Sequence, residues 1–156
     1  SQEPVAVKPY PGNMLDLTAV LDFVSDFSIT SGLLVMDKGF SSASVLSKLR
    51  QVDGVSYIVP LKQSSRKVKE NGLLEPFATV LNGYSEATIL YKKVRMEDGC
   101  FLYAFRDPRC AYEQQIGYIT FGKKKGTYSE DKFISKLDQF GLIVFESKSD
   151  LSPLEV

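Results

Sequence analysis

"LLVMDKGFSS", residues 33–42, decides how the rest of this chain is read. Four large apolar residues run straight into an aspartate, then a lysine, a glycine, an aromatic residue and two serines. A short continuous apolar run is the pattern of a strand buried on both faces, as in a parallel sheet. Asp37 then stands at the C-terminal end of that strand. Beyond Gly39, Ser41 can cap a helix, and Phe40 and Val45 suit a hydrophobic staple around it. Val45, Leu46, Leu49 and Val52 form the helix's apolar stripe, and "DG" at 53–54 ends it.

The flanking segments repeat the alternation. "PVAVKPY" at 4–10 predicts a strand, near an edge because of Pro4 and Pro9. "PGN" at 11–13 predicts a turn, with Asn13 capping the next helix and Asp16 as its capping-box partner. Leu17, Val20, Leu21, Val24 and Phe27 fall at helical spacing. "VSYIVPL" at 55–61 predicts a further strand. Residues 4–61 therefore read β-α-β-α-β, and buried strands joined through helices suggest a parallel arrangement.

The middle of the chain has another texture. Residues 62–75 are polar and basic, a helix or a loop. "EATILYKKV" at 86–94 and "CFLYAFR" at 100–106 predict a hairpin turning at Glu97-Asp98-Gly99. "AYEQQIGYITF" at 111–121 predicts a helix with Tyr112, Ile116 and Ile119 on one side. "GKKKG" at 122–126 reads as a loop, whose lysines are more simply a solvated run than a DNA clamp. Ser129 caps a short helix with Phe133 and Leu137 inward. "GLIVFES" at 141–147 is a second continuous apolar run, again a buried strand. "SPLE" at 152–155 is a helix start, with a serine cap, a proline at the first position and a glutamate at the third. Followed only by Val156, it leads us to expect a helix cut short and hence a fragment.

Composition excludes several classes. Hydrophobic residues make up 44% and charged residues 24% of 156 residues, enough for one domain with a core. Nineteen basic residues balance nineteen acidic ones, which argues against a dedicated nucleic-acid module but not against a local basic face. No apolar run reaches the 18 residues of a membrane span, and the N-terminus lacks the basic-then-apolar pattern of a signal peptide. Cys100 and Cys110 are too few for a disulfide framework and read as reduced thiols.

The chain has no histidine. A serine hydrolase would lack its base, and G-x-S-x-G is absent. "DKGFSS" has one glycine and matches no phosphate-binding loop. Asp37 either caps the strand–helix turn or serves as a ligand, since ligands gather at strand ends in parallel sheets. Carboxylates hold Mg²⁺ or Mn²⁺ without imidazole.

"PGNMLD" at 11–16, "LLVMDKGFSSASVLSKL" at 33–49, "VSYIVPLK" at 55–62 and "FGLIVFESKSDLSPLEV" at 140–156 together resemble the catalytic core of DDE transposases from bacterial insertion sequences. The resemblance is most specific at Gly12, Asn13 and Asp16 and at Asp37-Lys38-Gly39-Phe40. It implies an α/β, ribonuclease H-like fold: a core part at 1–62, a hairpin-containing insertion at 63–139, and a return to the core at 140–156. It implies a three-carboxylate site with Asp37 as the second acid and as metal ligand. The first Asp and the final Glu have no counterpart here, and Glu146, Asp150 and Glu155 are not assigned to the vacant roles. The expected activity of the intact enzyme is Mg²⁺- or Mn²⁺-dependent cleavage and strand transfer of DNA, at transposon ends and targets. The fragment itself is expected to be inactive. Lys38, Lys62 and Arg66 are the candidate DNA contacts. A homodimer of the full-length protein and a cytoplasmic, nucleoid-associated location in bacteria follow from the same resemblance. Two alternatives stay open: a non-catalytic binding or assembly domain of a decayed element, and an unrelated phosphoacceptor-type α/β domain.

Overall fold

Local signals set most of the elements. The computed structural model describes residues 7–11, 16–74, 76–83 and 88–156. In chain order these are α1 (Asp16–Asp26), β1 (Gly32–Val35), α2 (Ala43–Arg50), β2 (Val55–Leu61), α3 (Arg66–Glu70), β3 (Thr79–Val80), β4 (Leu90–Arg95), β5 (Phe101–Arg106), α4 (Pro108–Lys125), α5 (Glu130–Ile134) and β6 (Leu142–Ser147). A 3-10 turn at Lys38–Phe40 links β1 to α2. The expected cap at Asn13 and the start of the 4–10 strand lie outside the described residues. Residues 7–10 do not form the predicted strand.

The six strands make one mixed sheet in the order β1-β2-β6-β5-β4-β3. β1 and β2 are parallel, and every other pair is antiparallel. The hairpin β4–β5 therefore extends the same sheet through β6. Its turn is three residues long, with Gly99 at φ +82°, the left-handed position that such a loop requires. On one face Tyr57, Val59, Leu61, Leu102, Ala104, Leu142 and Val144 form the core with Val45, Leu46 and Leu49 of α2 and Val68 of α3.

Pro60 explains where β1 ends. The Met36 N–H donates to the Ile58 carbonyl at 3.0 Å. In a parallel ladder the next bond comes from the N–H two residues on, and residue 60, a proline, has none. The ladder stops there, and the chain is free to turn away at Asp37.

Burial differs from expectation in three places. β1 was expected to be buried on both faces, yet Leu33 and Val35 are exposed, Val35 at 77%. The strand lies at the sheet edge, and only Leu34 and Met36 pack toward the core. β6 likewise alternates: Leu142 and Val144 are buried, and Ile143 is 56% exposed.

α4 is the third. Asp107 caps it by accepting from the Arg109 and Cys110 N–H groups, and Pro108 follows, so the helix starts before residue 111. It runs on to Lys125 and is closed by Gly126 at φ +67°, so residues 122–125 are helix, not loop. Its inward side is set by the chain that folds back on it. Tyr118 packs on Phe133 and Phe140, and Gly122 lies against Tyr128, where a Cβ would meet atoms at 3.1 Å. Tyr112 and Ile116, on the side read as its apolar stripe, are exposed. Ser129 caps α5 as expected, but that helix ends at Ile134, and Leu137 points outward. At 152–155 the expected capping box forms as one turn: the Ser152 N–H donates to Glu155 Oε2 at 2.7 Å. Among the described residues no helix is long and apolar enough to cross a membrane.

Candidate active site

The end of β1 places Asp37. Its backbone is extended (φ −75°, ψ 163°), and its Oδ1 accepts from the Lys38 N–H at 2.5 Å. Asp37 therefore caps the 3-10 turn. Ser41 closes that turn, its hydroxyl donating to the Lys38 carbonyl at 2.8 Å. Because Ser41 is so engaged, Ser42 caps α2 instead, accepting from the Val45 N–H.

Asp37 stands on a ridge between two clefts. One, of about 350 Å³, is apolar and lies between α1 and β1, lined among others by Phe23, Val24, Leu34 and Phe40. The other, of about 500 Å³, is lined mostly by polar residues and is termed the polar cleft. It is lined by Asp37, Lys38, Gly39, Ser41, Ser42, Leu61, Lys62 and Ser65. It thus sits over the C-terminal ends of the two parallel strands, where α/β sheets bind ligands. Ser42 on its wall opens α2, whose positive dipole end faces the same space. Two lysines, a helix N-terminus and several hydroxyls make this a place for an anion.

Of the candidates read from the sequence, Asp37, Lys38 and Lys62 come together in this cleft. Arg66 does not line it: its side chain is 89% exposed and pairs with Glu70 one helical turn on, at 2.6 Å.

Among the described residues Asp37 is the only carboxylate on the polar cleft, and no three of His, Cys, Asp and Glu gather into a metal-binding group. Its carboxylate and the neighbouring hydroxyls are hard oxygen donors of the kind a divalent cation takes. They supply only part of a ligand set.

Among the described residues the buried acid is elsewhere. Glu146 on β6 is wholly buried. Its Oε1 accepts from the Tyr57 hydroxyl at 2.7 Å and from the Arg50 guanidinium, and its Oε2 accepts from Lys67 Nζ at 2.5 Å. Arg50 also reaches the Tyr57 hydroxyl through Nε at 3.0 Å and Asp98 in the hairpin turn at 2.8 Å. Burial, then the hydrogen bond to Glu146, pushes the Tyr57 phenol well above its ordinary range. Desolvation works against the Arg50 guanidinium, but Tyr57 and Glu146 outweigh it and raise its pKa. With two cations already on its carboxylate, Glu146 is a structural anchor. The sequence did hold one signal: Glu146 shares the parity of Leu142 and Val144, which points it inward.

The family model described as "Transposase DDE domain" matches residues 1–153. No curated protein and no solved structure matches the chain.

Proposed function

The chain belongs to the transposase DDE-domain family, and on that premise we propose that the polar cleft beside Asp37 is part of a site for Mg²⁺- or Mn²⁺-dependent cleavage and strand transfer of DNA. A pair of such ions, when bound, activates the attacking oxygen and stabilises the leaving one at a phosphodiester. Asp37 is the middle acid of the three and offers its free carboxylate oxygen to the metal. Lys38 and Lys62 flank it and neutralise a phosphate in the cleft. The α2 N-terminus adds backbone N–H groups of the same sign. Arg66, outside the cleft, would meet DNA only beyond it.

The observation that supports this reading most is the meeting of Asp37, Lys38 and Lys62 over the ends of two parallel strands. A single carboxylate holds a divalent ion weakly, in the millimolar range or worse, and this chain alone is not expected to cut DNA. Paramagnetic Mn²⁺ provides the test. Amide signals of Lys38, Gly39 and Lys62 should broaden selectively, and Asp37→Asn should remove the effect. Broadening centred elsewhere, or unchanged in Asp37→Asn, would overturn the assignment.

A further inference from the structure

We propose that the α4–α5 arm is a second DNA-binding surface, which grips the phosphate backbone of a duplex through Lys123, Lys124, Lys125, Lys132 and Lys136. The partner's identity rests on the reading of the cleft as a DNA site; the surface itself is carried by separate observations.

The first is position. The base of α4 lies at the same end of the sheet as the polar cleft. The C-terminal end of β2 pairs with the start of β6, Leu61 opposite Val144, and that start pairs with the end of β5, Arg106 opposite Leu142. Gln63, one residue past Lys62, bonds the Leu142 carbonyl. α4 leaves from there, tied by the Asp107 N–H to the Gly141 carbonyl at 3.0 Å. Its 18 residues extend about 27 Å. Lysines 123–125 are therefore carried to the far end of an arm, within one turn of duplex from its base.

The second is charge. From 122 to 137 there are five lysines and two carboxylates, in a chain whose formal net charge is zero. The rest of the molecule is correspondingly acidic. Among the described residues none of the five is in an ion pair. Lys8, Arg50, Arg66, Lys67, Lys93 and Arg109 are paired, whereas the cleft's Lys38 and Lys62, like the five, are in no ion pair among the described residues.

The third is how the ammonium groups are held. Lys123 lies over the Tyr128 ring and Lys136 over the Tyr118 ring, at 5.9 and 5.3 Å. Both rings pack on Phe133, so cations from α4 and from the segment after α5 rim one aromatic cluster. The C-terminal dipole of α4 favours lysines 123–125 by itself. It gives no reason for Lys136 to join them. Paired to rings instead of carboxylates, these lysines keep their charge available for a polyanion.

The test is fluorescence anisotropy with a labelled duplex of about 25 base pairs and arbitrary sequence, titrated across salt. Lys123→Gln/Lys124→Gln/Lys125→Gln, which keeps good helix formers, should weaken binding about tenfold near 0.1 M salt. It should also flatten the dependence of log K on log salt by about 0.9 per lost phosphate contact. Arg109→Gln, on the same helix but paired, is the control and should leave both unchanged. Circular dichroism verifies that each variant folds. Duplex affinity indifferent to the triple change, or no duplex binding at all, would overturn the inference. If Lys38→Gln/Lys62→Gln weakens binding while the arm variant does not, the arm inference alone falls and the cleft reading stands.

Discussion

Tyr57 and Glu146 meet across the middle of the sheet, phenol to carboxylate at 2.7 Å, as diagonal neighbours on β2 and β6. Arg50 of α2 and Lys67 of α3 close on the same carboxylate, and Arg50 reaches on to Asp98 in the β4–β5 turn. One buried acid thus ties two helices and, through Arg50, a hairpin turn to strands β2 and β6.

Removing that acid should be costly. Glu146→Gln removes the buried charge that the half-buried Arg50 and Lys67 share, leaving Arg50 only Asp98, and should lower stability by about 1–3 kcal/mol. Urea unfolding measures it. A double-mutant cycle with Tyr57→Phe should show strong non-additivity, since the two side chains share a bond. Additive effects would mean that the pair is not coupled.

The same network sets an alkaline limit. The Tyr57 phenol is held above its ordinary pKa by burial and by Glu146. A group whose folded pKa is raised stabilises fully below the unfolded value, near 10, and that contribution is lost as pH climbs beyond it. The urea midpoint should fall above pH 10, and Tyr57→Phe should flatten the fall.

Asp37→Ala should barely disturb the fold. The side chain is exposed and caps only a 3-10 turn, so the loss should be about 0.5–1 kcal/mol. Thermal unfolding of the variant should shift by a few degrees at most. A collapse would make the aspartate a structural residue first.

Gly141→Ala should detach the arm. Gly141 has φ +68°, and a Cβ there would lie 2.4 Å from the Asp107 carbonyl and 2.7 Å from Ala111 Cβ. Both contacts are with the first turn of α4, which cannot yield without moving. Hydrogen exchange should rise through α4 and α5 ahead of strands β2 and β6.

The two thiols should react in order. Cys100 is buried, and burial raises its pKa, whereas Cys110 is partly open on α4. A thiol reagent at neutral pH should label Cys110 in the native protein and Cys100 only on unfolding. Equal rates would contradict the packing around Tyr57.

Much of the element order was legible because local bonds and sterics set it. Glycine 99 turns the hairpin, Ser129 caps α5, Ser152 and Glu155 close their box, and the apolar runs at 33–36 and 141–147 are strands. Asp37 could be placed at a strand end by the same logic. The lysines at 123–125 look like a loop in the sequence because the cap at Asp107 and the stop at Gly126 count only once α4 is one long helix.

The sequence by itself determined most caps and turns, since those are set within a few residues by hydrogen bonds and allowed backbone angles. Tertiary structure alone decided which faces are covered. β1 fell at an edge, β6 was wedged between β2 and β5, and α4 took its inner side from Phe133 and Phe140. It also brought Lys62 to Asp37 and two cations to Glu146. Those pairings join residues far apart in the chain, and periodicity carries no information about which distant surface will arrive.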